Sequence, residues 1–249
     1  MTQHYDSSKI ICVFPKYLWF LILSYAMVIV LANWFDARLI HIFGLDTDAG
    51  TLIFPLTFLL SDLITEVYGY KQARRAIWCG FLFNAVFLIY GQIVIHLPSP
   101  SYATQNALFD TLLATNTRII LASTISYFIS EPANAFIMAK LKLKMQGKYL
   151  GLRFVLSTAV ASGFDSAIFG ILAFYGTMSN ANLIALILTM WFIKILIEIV
   201  GLPLSIRLTH KLKKVEQLDV YDKNTKFNIF NLNANYTMGD NEFKKKFYE

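Results

Sequence analysis

The chain has 249 residues, of which 56% are hydrophobic and 15% charged, with a formal net charge of +6. Soluble domains carry about 25% charged residues, so with a mean hydropathy of +0.52 this chain lacks the polar side chains to cover itself in water. Composition thus argues against a disordered chain, a disulfide-rich secreted domain or a soluble nucleic-acid binder, and for an integral membrane protein. Cys12 and Cys79 build no disulfide framework and have no CxxC or Cys/His cluster around them.

A spanning helix needs about 20 mainly apolar residues, and six segments qualify, giving an all-α membrane protein with six transmembrane helices. The first, residues 17–34, is longer than a signal-peptide core and is followed by no small-residue cleavage site, so it reads as a retained anchor. The second, 51–68, contains Asp62 and Glu66. The third, 76–97, is closed by the turn signal Pro98-Ser99-Pro100. The fourth, 118–139, carries Glu131; the fifth, 154–176, carries Asp165; the sixth, 182–208, carries Lys194 and Glu198. Trp19, Trp34 and Trp78 fall near helix ends, where indole rings anchor at the interface.

Basic residues orient the bundle. Lys9 and Lys16 precede the first helix; Lys71, Arg74 and Arg75 separate the second and third. Lys140, Lys142, Lys144, Lys148 and Arg153 separate the fourth and fifth, and Arg207, Lys211, Lys213 and Lys214 close the sixth. The positive-inside rule places both termini and the two basic loops in the cytoplasm. The chain divides into a short cytoplasmic N-terminus (1–16), a membrane domain (17–208) and a basic, asparagine-rich tail (209–249). That tail lacks a sustained apolar period and is expected to be disordered, its basic start resting on anionic lipid.

Ionisable groups at membrane depth cost about 2.5–3.5 kcal/mol each on insertion scales and mark functional sites by default. Asp62 and Glu66 share one face of the second helix, with a salt bridge to Arg74 or Arg75 as the structural alternative. Lys194 and Glu198 are likewise four apart and can neutralise each other. Glu131-Pro132-Ala133-Asn134 and Ser162-Gly163-Phe164-Asp165 each set two polar groups on one helix face beside a residue that loosens the backbone, as in discontinuous transporter helices. Phe54 and Phe58 share the face of Asp62, so a flat aromatic ligand can stack there, although core packing is the commoner role for a Phe.

Absent motifs narrow the chemistry. The chain has no GxxxxGK[ST] phosphate loop, no HExxH and no GxSxG elbow, and its four histidines are scattered. No cofactor or metal is implied, and no enzyme activity is expected. A membrane-embedded aspartyl hydrolase using Asp62 and Asp165, or an assembly scaffold, are the readings from other classes.

The stretch Phe54-Pro55-Leu56-Thr57-Phe58-Leu59-Leu60-Ser61-Asp62-Leu63-Ile64-Thr65-Glu66-Val67-Tyr68-Gly69-Tyr70-Lys71, followed by Ala73-Arg74-Arg75, closely resembles the queuosine precursor transporter family, also called the vitamin uptake transporter family. Asn33, Arg118, Arg153, Ser157-Thr158, Asp165-Ser166, Phe169, Phe174-Tyr175-Gly176 and Lys194 match as well, so the resemblance covers about residues 15 to 210. It implies an importer in the bacterial inner membrane for 7-deazaguanine bases, such as 7-cyano- or 7-aminomethyl-7-deazaguanine, destined for tRNA modification. It also implies a fold akin to the substrate-binding subunits of energy-coupling-factor vitamin transporters. One departure stands out: many members show Ser-Gln-x-x-Asp where this chain has Ser130-Glu131-x-x-Asn134 and Ala161-Ser162-x-x-Asp165, which leaves the exact base open.

A guanine-like base offers a ring N–H and an exocyclic amine that a carboxylate accepts in parallel, and a carbonyl that needs a donor. Asp62, Glu131 and Asp165 are the expected base contacts, with Glu66 and Glu198 as further candidates. Asn33, Asn134, Arg118 and Lys194 are the expected donors or charge partners, and Phe58 the ring wall. The partners are thus a purine-like small molecule and the bilayer. A solitary secondary carrier is favoured over a binding subunit with a separate ATPase module, because the first helix lacks the small-xxx-small pattern of a docking face. Another small aromatic vitamin or nucleobase in the same architecture is the nearest rival.

Overall fold

The computed structural model describes residues 15–231 and 233–236. Among the described residues six helical segments are long and apolar enough to cross a membrane: α1 (Leu18–Phe35), α2 (Pro55–Tyr68) together with the turn from Gly50 that leads into it, α3 (Tyr70–Ile95), α4 (Asn106–Lys144), α5 (Leu150–Phe174) and α6 (Asn180–Glu216). Between α1 and α2 lies a small antiparallel hairpin, β1 (Leu39–Ile42) and β2 (Leu45–Asp48), followed by a single 3-10 turn at Gly50–Leu52. The hairpin was not anticipated. Its signal is the pair of β-branched residues Ile40 and Ile42 ahead of Phe43-Gly44, both of positive φ as a two-residue turn demands.

The short α2 forms the axis of the bundle and packs on α1, α3, α4 and α6. Its apolar stretch is 78% buried, against 17% for α3, whose Leu82, Val86, Ile89 and Ile93 face outward as lipid-facing side chains do. Pro55 opens α2 at a position where its missing N–H costs nothing. Gly69, at φ 81, ends it and lets α3 begin at the next residue. Lys71, Arg74 and Arg75, expected in a loop, therefore lie in the first turns of α3.

α4 has 39 residues and α6 has 37. At about 1.5 Å per residue both exceed the roughly 30 Å hydrocarbon core, so they project beyond it. Both stay helical through their prolines, Pro132 and Pro203, and α5 through Gly163. The loosening expected near Glu131 and Asp165 thus interrupts neither helix; the indole of Trp191 packs 3.4 Å from where a Cβ on Gly163 would lie.

Within the tail expected to be disordered, helix α6 runs on to Glu216 and residues 217–231 and 233–236 pack on the bundle. Leu218, Val220 and Tyr236 are buried at the α2–α3 turn, and Tyr221 is buried beside Gly147, after α4. Val220 donates its backbone N–H to the Val67 carbonyl (3.3 Å), and Asp222 accepts from the Tyr70 N–H (2.8 Å) and the Tyr236 hydroxyl (2.9 Å). Arg74 donates to the carbonyls of Asn228 (2.8 Å) and Asn233 (2.6 Å), and Trp78 to that of Ile229 (2.8 Å). The asparagines turn the backbone locally: the side-chain carbonyls of Asn228, Asn231 and Asn233 each accept the N–H two residues on. An asparagine-rich composition thus codes for a strap of consecutive turns. Residues 1–14, including Lys9 and Cys12, and 237–249 lie outside the described residues.

The backbone N–H groups of Lys16 and Tyr17 donate to the Glu216 carboxylate (2.9 and 2.7 Å). The start of α1 and the end of α6 therefore meet at one end of the bundle, the end that also carries the basic loops.

Candidate functional site

Asp62, on the middle of α2, is fully buried and accepts a hydrogen bond from the Asn134 amide on α4 (2.7 Å) and from the Ser157 hydroxyl on α5 (3.3 Å). Glu131, one turn before Asn134, is fully buried too. Tyr25, Thr57 and Ser61 surround its carboxylate without reaching hydrogen-bond geometry. On α6, Glu198 stands beside Thr158 of α5, also short of a bond. Asp62 lies within electrostatic reach of both Glu131 and Glu198, so the three carboxylates form one buried cluster between the helices, called the chamber below.

Among the described residues, both oxygens of Glu131 and of Glu198 lack a hydrogen-bond partner. So do Asn134 Oδ1 and the hydroxyls of Ser61, Thr158 and Ser162, all buried. Four helices supply these atoms: α2, α4, α5 and α6. An unsatisfied buried polar group costs about 1–3 kcal/mol, and more if charged, so a chamber with this many unmet acceptors is built for something other than its own stability.

Asp165 and Lys194 meet beside the chamber. Lys194 Nζ lies 2.6 Å from the Asp165 carboxylate, which also accepts from Ser130 (3.2 Å); the ammonium sits 4.9 Å above the Phe54 ring. Lys194 thus pairs across to α5 rather than along α6, and the alternative of a Lys194–Glu198 pair is not the one formed. Phe58 is buried edge-on to Phe54, ring centroids 5.6 Å apart, in a cluster with Ala32 and Ala161.

Three expected site residues do other work. Glu66, one turn from Asp62, is held by Arg153 and Lys213, with Lys142 Nζ 3.6 Å from its carboxylate. Asp219 from the strap joins the same knot at 2.7 Å from Lys142 and 2.8 Å from Lys213. Arg74 and Arg75, the expected partners of Glu66, are not in it: Arg74 is spent on strap carbonyls and Arg75 on Gln72. Asn33 is bonded on both sides of its amide, to Asn84 (2.6 Å) and to the Ser123 hydroxyl, and so rivets α1 to α3 and α4. Arg118 is exposed and donates to the carbonyls of Leu172 (2.9 Å) and Tyr175 (2.7 Å), capping the C-terminal end of α5 where a cation meets the helix dipole.

Sequence reasoning paired Ser162 with Asp165 on one face but did not single out Ser61 and Thr158 for the chamber. Their signal was helical spacing: Ser61 adjoins Asp62, and Thr158, Ser162 and Asp165 fall on one face of α5. A surface groove of about 680 Å³ between α3 and α4 is lined mainly by Leu88, Ile89, Ile93 and Leu121. Of its polar groups, Gln92 and Thr117 bond each other (2.6 Å) and His96 Nδ1 lies 2.7 Å from the Gln92 carbonyl, so it offers no comparable cluster of unmet groups.

Residues 48–208 match the family described as "Putative vitamin uptake transporter". The chain belongs to this family. A curated relative, the "Probable queuosine precursor transporter" of Bacillus subtilis (strain 168), is 28% identical over 177 residues, covering 70% of this chain and 76% of its own. No solved structure matches the chain. The vitamin uptake transporter family is one of transporters rather than enzymes, and this member is a multi-pass membrane protein. The matched span takes in all of the chamber carboxylates, whereas Asn33, Lys213 and Asp219 fall outside it.

Proposed function

We propose that the protein imports 7-deazaguanine bases, the precursors of queuosine, across the bacterial inner membrane, with its basic end and both described termini in the cytoplasm. The observation that carries this reading is Glu131, a buried carboxylate with both oxygens unpartnered among the described residues and Asn134 Oδ1 unpartnered one turn away. A guanine-like edge presents adjacent N–H and NH₂ donors, which such acceptors bind in parallel, and a site with unmet acceptors rejects bases lacking those donors by large factors. The Phe54–Phe58 pair supplies an aromatic wall, and Ser61 a hydroxyl donor for the base carbonyl. The name of the Bacillus subtilis relative points to the same cargo class.

The positive-inside rule supports the orientation, since Lys71, Arg75, Lys140, Lys144, Lys148 and Lys211 all lie at the end where α1 starts and α6 finishes. A solitary secondary carrier fits the exposed face of α1, where Trp19, Phe20, Leu23 and Met27 are bulky side chains suited to lipid rather than to close helix docking.

The test is the queuosine content of tRNA from bacteria that neither make nor import the precursor, fed a limiting amount of deazaguanine base with and without this gene. Restored queuosine is the expected result. No restoration, with the protein shown to be in the membrane, would overturn the cargo assignment.

A further inference from the structure

The chamber is unbalanced in charge. Asp62, Glu131, Asp165 and Glu198 converge on it from four helices, and among the described residues the ion pair there is that of Lys194 with Asp165. Asp62 accepts from Asn134 and Ser157, whereas Glu131 and Glu198 have only hydroxyls nearby, Tyr25, Thr57 and Ser61 for one and Thr158 for the other, none of them within hydrogen-bond geometry. Carboxylates held this deep call for positive charge to be brought in.

Two unmet acceptor groups lie within reach of Asp62, and they differ in kind. In one, Glu131 and Asn134 Oδ1 on α4 offer a row of acceptors one helical turn apart, suited to a planar edge with parallel N–H donors. In the other, Glu198 on α6 and the Thr158 hydroxyl on α5 bring oxygens together from two helices, with Ser162 one turn along from Thr158. A cluster of oxygens around one point suits an ammonium, whose three N–H donors radiate from a single nitrogen.

We infer that the chamber selects a cationic cargo, a planar base carrying a protonated amine, with Glu131 taking the donor edge of the ring and Glu198 with Thr158 taking the ammonium. This rests on the cargo class proposed above and narrows it: of two deazaguanines alike in the ring, the aminomethyl base is taken in preference to the neutral cyano base. Glu198 is then a specificity residue, separate from the ring contacts.

The experiment is calorimetric binding of both bases, and of simple neutral and cationic aromatic amines, to the full-length protein in lipid nanodiscs. The aminomethyl base should bind at least about tenfold more tightly than the cyano base. Glu198→Gln should reduce that ratio to within about twofold by weakening the cationic base alone, and Thr158→Val should act in the same direction by a smaller factor. Equal binding of the two bases to the native protein, or equal weakening of both by Glu198→Gln, would overturn the inference. Binding of cationic amines but of neither deazaguanine would uphold charge selection and overturn the cargo class. Binding of neither deazaguanine and no cationic amine would overturn both. Glu198→Asp, which keeps the charge on a shorter stem, should retain part of the preference and so shows that charge rather than folding is being read.

Discussion

Glu66 and Asp62 stand one turn apart on α2, and their surroundings could hardly differ more. Around Glu66 the charges close on themselves: Arg153, Lys142 and Lys213 face it, and Asp219 reaches in to share the two lysines. Around Asp62 the neighbours are carboxylates, amides and hydroxyls, several of them unmet. The same residue types, on the same helix, make a fastening at one level and a recognition chamber at the next. What separates them is whether the facing helices bring cations.

The largest effect should come from opening the fastening. Glu66→Ala leaves Arg153 and Lys213 buried without their shared anion, and losing one partner of a buried pair costs about 3–5 kcal/mol. The thermal midpoint of purified protein should fall sharply; an unchanged midpoint would mean that the knot is not structural. Next comes the chamber. Glu131→Gln keeps shape and removes the charge, so uptake should fall about 10–100-fold, the worth of a charge-assisted hydrogen bond. The midpoint should hold or rise, because an unpaired buried charge is gone. A loss of stability instead would place Glu131 with Glu66 as scaffolding.

Arg118→Ala tests a residue that resemblance assigned to the cargo and the fold assigns to a helix end. It should cost about 1–2 kcal/mol through the lost cap, with uptake per folded molecule unchanged. A loss of uptake at normal expression would return Arg118 to the transport path.

The smallest effect belongs to Asp36, just past α1. Burial, with the Asp48 carboxyl against it, pushes the Asp36 carboxyl well above the usual carboxylate range. The fold therefore holds this proton more tightly than the unfolded chain. That stability is complete below about pH 4 and is lost as pH rises through the folded-state value. Asp36→Asn stays neutral throughout, so its midpoint should gain on the native protein as pH is raised. A constant difference across the titration would show that Asp36 ionises freely.

The number and sequence of spans were legible because a spanning helix has to be apolar over its whole length, whatever it packs against. Helix ends were less so. Nothing local announces that Gly69 alone suffices to turn α2 into α3, or that α4 continues beyond the apolar stretch to Lys144. Within the site, a buried carboxylate is conspicuous in sequence but its partners are not. Asp62, Glu131, Asp165 and Glu198 could be named from their depth, yet only the packing shows that Lys194 turns to Asp165 and that Lys213 and Asp219 complete the knot around Glu66. Asn33 and Arg118 have the polar character of cargo ligands; what commits them elsewhere is Asn84 and Ser123 for one and the end of α5 for the other.

The position of Asp219 in the chain sets an order of assembly. Lys142 is made with the fourth helix and Lys213 with the sixth, but the anion they share follows both. The two ammonium groups beside Glu66 therefore gain their second anion only from the segment after α6, which reaches back over the end of the bundle.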